Sequence, residues 1–372
     1  MTAGRAADDR DLHVVLPASV DDPATPSGGN AYDRRVCREL PAFGWRVHAV
    51  RVSGTWPRPD RADRDALARA LAELPDGALV LVDGLVGCGV PDVVVPAARR
   101  LRLLVLVHLP LAEETGLAPD DAADLDRRER DVLAASAAVV VTGGWAAARL
   151  AGAVPAERLH VAEPGVDPAP LVEGRAAGTG LLCLASLTPR KAQDVLLTAL
   201  AEVAGGGFAG EFSCVLAGPL PDPGYAAELR ALVERGGLAG RVRLAGPLAG
   251  AELDAAWAGT DLAVLVSRAE TYGMAVTEAL ARGIPVLVSD AGALPGTLGR
   301  APDGSRPGIV VPAGRPGPLA DALRRWWGEP RYRADLRRSA RERRCILSGW
   351  EDTARRLHEV LEGLRRPPVV AP

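Results

Sequence analysis

Short apolar runs alternate along the chain with longer stretches in which apolar residues recur at helical spacing. A short apolar run predicts a buried strand, and apolar positions three or four residues apart predict an amphipathic helix. The predicted strands are 12–17, 45–52, 78–83, 102–108, 137–143, 181–186, 211–218, 242–246, 261–267 and 285–290. The predicted helices are 30–40, 63–74, 124–136, 192–204, 225–237, 250–259, 273–283, 318–327, the arginine-rich stretch after it, and 350–364.

This alternation predicts an α/β fold with two doubly wound, Rossmann-like parallel sheets. Fully apolar runs such as 78–83 and 102–108 are typical of parallel strands that are covered on both faces. The proline- and glycine-rich segment 164–178 interrupts the pattern and indicates a linker. We therefore predict an N-terminal domain over 1–172 and a C-terminal domain over 173–347 that face each other across a cleft. The last helix, within 348–366, is predicted to pack back on the first domain.

Composition narrows the choice of function. The 372 residues carry a net charge of only −3, which argues against nucleic-acid binding. The histidines and cysteines show no zinc-binding spacing, so no metal site is predicted. No signal peptide or membrane-spanning run is predicted, which indicates a cytoplasmic protein. The arginine-rich stretch 324–344 is interpreted as a solvated helical face, and peripheral contact with the inner face of the membrane stays open.

Lys191 is the only lysine in a chain whose lysines and arginines together number 44. Coding bias in a GC-rich genome explains the many arginines but not this exception. The residue lies in "TPRKAQDVLL", between a predicted strand and a predicted helix. Loops that follow strands in doubly wound sheets are where ligands bind, although chance survival on the surface is the alternative.

The segment "SRAETYGMAVTEALARGIPVLVSD" places Glu270 in a loop and Glu278 inside the following predicted helix. The N–H groups near the start of this helix, at residues 271–275, predict a phosphate site. A carboxylate on each side of a phosphate site suggests a ligand with hydroxyls at both ends, such as a nucleotide sugar. The alternative is that both acids only stabilise the helix dipole.

The E-x7-E spacing of Glu270 and Glu278 resembles the signature of retaining nucleotide-sugar glycosyltransferases of family 4, which have the GT-B fold. Four further segments match in order: "PSGGNAYDRRVCREL" its glycine loop, "VLVHLP" its strand-end histidine, "PGVD" its linker entry, and "LASLTPRKAQDVLLTAL" its GRL-x-x-x-K-G-x-D-x-L motif. The resemblance covers nearly the whole chain.

The resemblance implies roles for individual residues. Lys191 would contact the donor diphosphate, where a compact cation stabilises the departing charge. Glu270 would bind the sugar and Glu278 the ribose. The backbone of Thr271, Tyr272, Gly273 and Met274 would face the phosphate or the sugar.

In the N-terminal half, the resemblance implies that Gly28 and Gly29 let the backbone approach the reacting centre closely, and that His108 contacts the sugar or shapes the acceptor side. A simple turn and a buried histidine with satisfied hydrogen bonds are the alternatives.

The chain departs from the family pattern at three places, the mildest of which is Ala192 in place of the common glycine after the lysine. Ser186 stands where the family has an arginine five residues before the lysine, and either Arg190 or Arg268 is a candidate replacement. The loop "DAGALPG" at 290–296 lacks the second glycine and the glutamate of the family loop that flanks the donor. Neither the nucleotide base nor the hexose is identified by the sequence.

The resemblance implies a retaining glycosyltransferase that moves a hexosyl group from an NDP-sugar to an acceptor hydroxyl without a metal or cofactor. The acceptor, which is a small molecule, a lipid or a glycan, is not specified by the sequence, and neither is the oligomeric state. The alternatives are a nucleotide-sugar epimerase of the same architecture, a glycoside hydrolase that uses the two glutamates, and a non-catalytic nucleotide or sugar binder.

Overall fold

The computed structural model describes residues 10–24, 26–206 and 210–365, and within them the chain divides into two compact units. The first unit comprises 10–21, Gly29–Glu163 and 350–365, and the second comprises Asp22–Gly28 and Pro164–Gly349. The division falls at Glu163 and Pro164, at the start of the predicted linker, and the last helix groups with the first unit. Residues 1–9 of the first predicted domain and residue 366 of the last predicted helix lie outside the described residues.

The first unit contains a six-stranded parallel sheet with the order β2-β1-β3-β4-β5-β6. The strands are β1 (Asp11–Pro17), β2 (Arg46–Val52), β3 (Leu79–Asp83), β4 (Arg102–Val107), β5 (Ala138–Val141) and β6 (Leu159–Val161). The helices are α1 (Gly28–Glu39), α2 (Arg61–Ala72), α3 (Gly84–Gly87), α4 (Pro91–Ala98), α5 (Pro119–Ala135), α6 (Gly144–Leu150) and the last helix of the chain, α14 (Trp350–Arg365).

The second unit contains another six-stranded parallel sheet, with the order β12-β11-β10-β7-β8-β9. The strands are β7 (Gly180–Leu184), β8 (Ser213–Ala217), β9 (Val242–Gly246), β10 (Leu262–Leu265), β11 (Val286–Ser289) and β12 (Gly308–Val311). The helices are α7 (Gln193–Gly205), α8 (Pro223–Arg235), α9 (Gly250–Ala258), α10 (Met274–Ala281), α11 (Leu294–Leu298), α12 (Pro316–Gly328) and α13 (Pro330–Arg344).

Both sheets confirm the predicted doubly wound α/β fold. The central strands β3, β5, β10 and β11 are buried along their whole length, as their continuous apolar runs require. The prediction missed the edge strands β6 and β12 and the helices α3, α4, α6 and α11. These elements are short, and at edge strands partial exposure removes the long apolar run that marks a buried strand.

Each sheet reverses its strand order once. The reversal lies between β1 and β3 in the first sheet and between β7 and β10 in the second. At such a point the two loops that leave the carboxyl ends of the strands diverge to opposite faces, which opens a crevice for a ligand. The fold therefore singles out the loops after β1, β3, β7 and β10.

The arginine-rich stretch forms α12 and α13, and its two tryptophans pack into the core of the second unit. Trp326 is 0% exposed, and Trp327 stacks on Phe212 with ring centroids 5.1 Å apart. The indole N–H groups of both tryptophans donate to the carbonyl oxygen of Gly178, at 2.8 and 3.1 Å. Both tryptophans share this core with residues of β7 and β8, so they pack against the sheet. Among the described residues, no helix combines the length and apolar character that a membrane span requires.

We expect Trp326→Ala to lower the free energy of unfolding by about 3–5 kcal/mol, because it leaves a large cavity. Trp326→Phe should cost only about 1–2 kcal/mol, because Trp327 still donates to the Gly178 carbonyl. Urea denaturation followed by circular dichroism measures both values. Equal losses for the two variants would contradict the packing described.

Candidate active site

Lys191 and Glu270 meet at the point where the second sheet reverses its strand order. Lys191 ends a 3-10 turn, Pro189–Lys191, that follows β7, and Glu270 lies in the loop after β10. Because β7 and β10 are neighbours, these two loops leave the same edge of the sheet side by side. The Lys191 ammonium donates a hydrogen bond to Oε2 of Glu270. The two residues are 79 positions apart, so only the sheet topology brings them together.

Arg190 points toward the same carboxylate as Lys191. Its guanidinium nitrogen lies 4.0 Å from Oε1 of Glu270, whose side chain is only 7% exposed. Burial would raise the pKa of Glu270, but the charges of Lys191 and Arg190 outweigh burial and hold the pKa below its usual value. Two cations thus flank one ionised carboxylate. Of the two candidate replacements for the missing arginine, Arg190 is the one at this cluster.

Arg268, the other candidate, is engaged elsewhere. Its guanidinium forms two hydrogen bonds with the carboxylate of Asp194, at 2.9 and 2.6 Å. Its backbone N–H also donates to the carbonyl oxygen of Arg190 at 2.7 Å. Arg268 therefore braces the turn that carries the two cations and does not point at Glu270.

Ala192 ends the 3-10 turn that carries the two basic side chains. It has φ = 56°, and it is the single residue other than glycine with positive φ in the part of the chain that the structure describes. This left-handed residue closes the 3-10 turn before α7 begins at Gln193. A 3-10 turn rotates successive side chains by about 120°. Lys191 therefore approaches Oε2 of Glu270, and Arg190 approaches Oε1. The left-handed conformation costs an alanine roughly 1–2 kcal/mol.

The N-terminus of α10 lies beside Glu270, as predicted. The helix begins at Met274, and Gly273 before it has φ = 88°, a conformation that favours glycine. Among the described residues no side chain caps this end, and the Val276 N–H donates to the carbonyl oxygen of Gly273 at 2.8 Å. Tyr272 is anchored through its hydroxyl, which donates to the carbonyl oxygen of Pro164 at 3.1 Å. The loop 290–296 is tied to the site because Ala293 N–H donates to the carbonyl oxygen of Glu270 at 2.9 Å.

Glu278 lies on the second turn of α10 and is half-buried. Burial raises its pKa to about 7, and the Arg282 guanidinium offsets only part of this effect. An ionised carboxylate in this environment lowers the stability of the fold. It gains stabilisation when hydroxyl or amide donors of a ligand reach it.

His108 belongs to a second cluster, in the first unit. It follows β4 directly, and its Nε2 lies 2.9 Å from Oδ1 of Asp33 on α1. Asp83, the last residue of the neighbouring strand β3, joins them, and one ligand atom from each of the three residues lies within 4.8 Å of the others. Asp33 and Asp83 are 1% and 3% exposed.

The glycine pair is not a loop, which corrects the sequence-based prediction. Gly28 and Gly29 are the first two residues of α1, because the helix extends two residues further toward the N-terminus than 30–40. A Cβ on Gly29 would lie 3.3 Å from Cδ2 of His108, so this glycine allows α1 to approach the imidazole closely. Gly28 is exposed at the tip of the helix.

Sequence reasoning missed Asp33, Asp83 and Asp194. Two signals were present: Asp83 ends a fully apolar strand beside the strand that ends at His108, and Asp33 lies four residues after Gly29, on the same helical face. The tertiary structure thus gives one cluster in each unit: Lys191, Arg190 and Glu270 beside α10 in the second, and His108, Gly29, Asp33 and Asp83 in the first.

Comparisons with known proteins identify the family to which part of the chain is similar. Residues 178–329 match the family model described as glycosyl transferases group 1. The chain carries a glycosyl transferases group 1 domain. The D-inositol 3-phosphate glycosyltransferase of Jonesia denitrificans is 31% identical over 271 residues, which cover 67% of this chain and 63% of that relative. The chain spans less than two thirds of the length of the curated relatives it matches.

Solved structures show the fold around this glycosyltransferase domain. Sucrose-phosphate synthase from Thermosynechococcus elongatus matches with a TM-score of 0.76 at 21% identity, over 95% of this chain and 99% of that chain. HepE from Anabaena, solved with UDP and glucose, matches with a TM-score of 0.75 at 16% identity, over 95% of this chain and 100% of that chain. The predicted resemblance to nucleotide-sugar glycosyltransferases and the GT-B fold class are confirmed.

Ala192→Gly should change the free energy of unfolding by less than about 1 kcal/mol. Relief of the left-handed conformation (about 1–2 kcal/mol) is offset by the loss of a buried methyl (about 0.8 kcal/mol) and by a more flexible unfolded chain (about 0.4–1 kcal/mol). Ala192→Val should cost more than about 2 kcal/mol, because a β-branched residue resists positive φ and the position is 0% exposed. Chemical denaturation measures the free energy of unfolding of both variants. A valine variant as stable as wild type would contradict the left-handed conformation of Ala192.

Glu278→Gln should stabilise the protein above pH 7 by about 1–3 kcal/mol and have no effect below about pH 4. The folded pKa of about 7 exceeds that of an unfolded glutamate, so wild type loses stability as pH rises from about 4.5 to 7. Glutamine does not ionise and escapes this loss. Thermal unfolding across pH measures the difference, with Glu228→Gln on the exposed face of α8 as the control. Parallel pH profiles for all three proteins would exclude a raised Glu278 pKa.

Proposed function

We propose that the protein is a retaining glycosyltransferase that transfers a hexosyl group from a nucleoside diphosphate sugar to an acceptor hydroxyl. The observation that carries the proposal is the convergence of Lys191 and Arg190 on Glu270 beside the uncapped N-terminus of α10. Two cations and a helix N-terminus at one sheet edge suit a diphosphate. The carboxylate between them suits the hydroxyls of the attached sugar.

The charges favour catalysis over simple binding. When the bond between the anomeric carbon and the diphosphate breaks, negative charge grows on the departing oxygen. Lys191, Arg190 and the positive end of α10 are already oriented, so they stabilise this transition state without reorganisation. They also supply the positive charge that a divalent metal would supply, so the reaction proposed here requires neither metal nor cofactor. The nucleotide sugar is a substrate.

The proposal also assigns roles to other residues predicted from the sequence. Glu278 binds the ribose hydroxyls, and a donor hydrogen bond there relieves the cost of its burial. The backbone N–H groups of 271–274 contact the phosphate. His108, with Gly29 against its ring, contacts the sugar. The neighbour solved with UDP and glucose and the relative named as an inositol phosphate glycosyltransferase support a nucleotide-sugar donor and a hydroxyl acceptor.

Lys191→Ala should lower kcat/KM for the nucleotide sugar by about 10²–10³, because one preorganised charge on the transition state is lost. Lys191→Arg should recover part of this loss, since charge returns without the compact ammonium. Arg230→Ala, on the exposed face of α8, is the control and should have wild-type kinetics. Release of nucleoside diphosphate from a panel of NDP-sugars is measured with EDTA present.

Nucleotide release, thermal shift and product analysis together separate the alternatives. Activity that requires Mg²⁺, or a Lys191→Ala variant as active as wild type, would overturn the proposed mechanism. An epimerase would convert the donor without releasing nucleotide, a hydrolase would ignore UDP and GDP in a thermal-shift assay, and a binder would show the shift without turnover. NMR of the product's anomeric configuration tests retention.

A further inference from the structure

We propose that Asp33 and Asp83 are positioning residues that hold His108 as an imidazolium, with one N–H fixed on Asp33 and the other available to donate to an oxygen of the nucleotide sugar. The identity of the ligand rests on the proposed function. The charge state of the imidazole does not, because it follows from groups of the first unit alone.

Topology brings the three residues to one point. Asp83 is the last residue of β3, and His108 follows the end of β4, the strand paired with it. Asp33 lies one helical turn after Gly29, and the absence of a Cβ at Gly29 allows this face of α1 to press against the imidazole. The edge of the Tyr32 ring also contacts it, with ring centroids 5.3 Å apart. The imidazole is therefore held by two strands and a helix.

The cluster buries two carboxyl groups beside one imidazole. Two buried negative charges without partners would be unfavourable. Oδ1 of Asp33 accepts from His108, while its Oδ2 is buried and has no donor among the described residues. Asp83 accepts from the Leu85 N–H at 2.8 Å. Two adjacent buried carboxylates beside one imidazole reach electroneutrality when the imidazole is charged and a single proton is kept on the carboxylate pair.

The ionisation of each group agrees with this arrangement. Burial lowers the pKa of His108, but the charge and hydrogen bond of Asp33 outweigh it and raise the pKa to about 9. Burial and the charge of Asp33 raise the pKa of Asp83 to about 7. Around pH 6, Asp83 therefore carries a proton and His108 is an imidazolium.

Other ionisable groups border the cluster and do not reverse this balance. On α1, burial and the Asp33 charge raise the pKa of the Cys37 thiol to about 11, and Tyr32 is likewise held neutral. Arg356 on α14 acts electrostatically on Tyr32. On the remaining side, Thr142 after β5 contributes only a hydroxyl, 3.5 Å from the His108 carbonyl oxygen.

The second N–H of the imidazolium belongs to a side chain that is partly exposed to solvent. The His108 side chain is 20% exposed, whereas that of Asp33 is 0% exposed. Among the described residues no hydrogen-bond partner is present for Nδ1. Asp33 holds the imidazolium through one N–H, and the other N–H faces solvent. Such a charged donor suits a substrate oxygen that carries partial negative charge.

NMR of protein labelled in its histidine rings tests the charge state directly. The His108 resonance is assigned as the one that disappears in His108→Gln. We expect it to remain that of an imidazolium up to about pH 9, and Asp33→Asn to move its titration to about pH 6.5 or below. A wild-type His108 that titrates at or below pH 6.5 overturns the proposal, even if Asp33→Asn fails to fold.

Kinetics test whether the charge is used. In Asp33→Asn, kcat/KM at pH 8 should fall about 30-fold relative to its own value at pH 5.5, because an imidazole with a pKa near 6.5 is mostly neutral at pH 8. Wild type should hold its rate up to about pH 9. Asp11→Asn is the matched control, since Asp11 lies 2.7 Å from His48 in an exposed histidine–aspartate pair on β1 and β2, and its profile should follow wild type. Asp83→Asn should shift the profile less than Asp33→Asn.

Three results would overturn the inference. The first is an equal loss of rate at every pH in Asp33→Asn, which indicates a purely structural role. The second is about one Mn²⁺ or Zn²⁺ bound per chain in wild type and lost in Asp33→Asn, which makes the cluster a metal site. The third is an NMR shift in Asp33→Asn without a change in the pH profile. If no donor is turned over, the proposed function fails, and the NMR titration alone decides the imidazolium.

Discussion

The order of the strands in the second sheet is the constraint on which the candidate site depends. Because β10 pairs with β7, the loops that follow these strands emerge together, and Lys191 reaches a glutamate 79 residues away. Once paired, both partners are largely buried. Removing one partner would leave an uncompensated buried charge, which costs about 3–5 kcal/mol. The pair is therefore a structural interaction, and an anionic ligand at this point would compete with a carboxylate already in place.

The first unit repeats this design with the opposite balance of charge. Its sheet also reverses near β3, and Asp83 and His108 lie at the carboxyl ends of adjacent strands. Here two carboxylates surround one imidazole, whereas in the second unit two cations surround one carboxylate. The same architecture thus yields an acid-rich cluster in one unit and a base-rich cluster in the other.

Both clusters hold arrangements that a stable fold by itself would avoid. Ala192 adopts a left-handed conformation, Glu278 is a carboxylate whose burial raises its pKa to about 7, and two carboxylates lie side by side at Asp33 and Asp83. Each costs free energy in the absence of a ligand. Such features concentrate at functional sites because the surrounding core, here two sheets with fully buried central strands, is stable enough to impose them.

The sequence by itself determined the fold class, the central strands and most helices, because apolar periodicity reports burial directly. It also singled out Lys191, Glu270, Glu278 and His108 as candidates, because these residues stand in local motifs next to predicted strand ends. Edge strands β6 and β12 escaped detection, since partial exposure erases the pattern. Only the tertiary structure decided that Arg190 and not Arg268 joins Lys191, that Gly28 and Gly29 begin a helix, and that Asp33 and Asp83 surround His108. These facts depend on which strands are neighbours and on one left-handed alanine, and neither is written in local sequence.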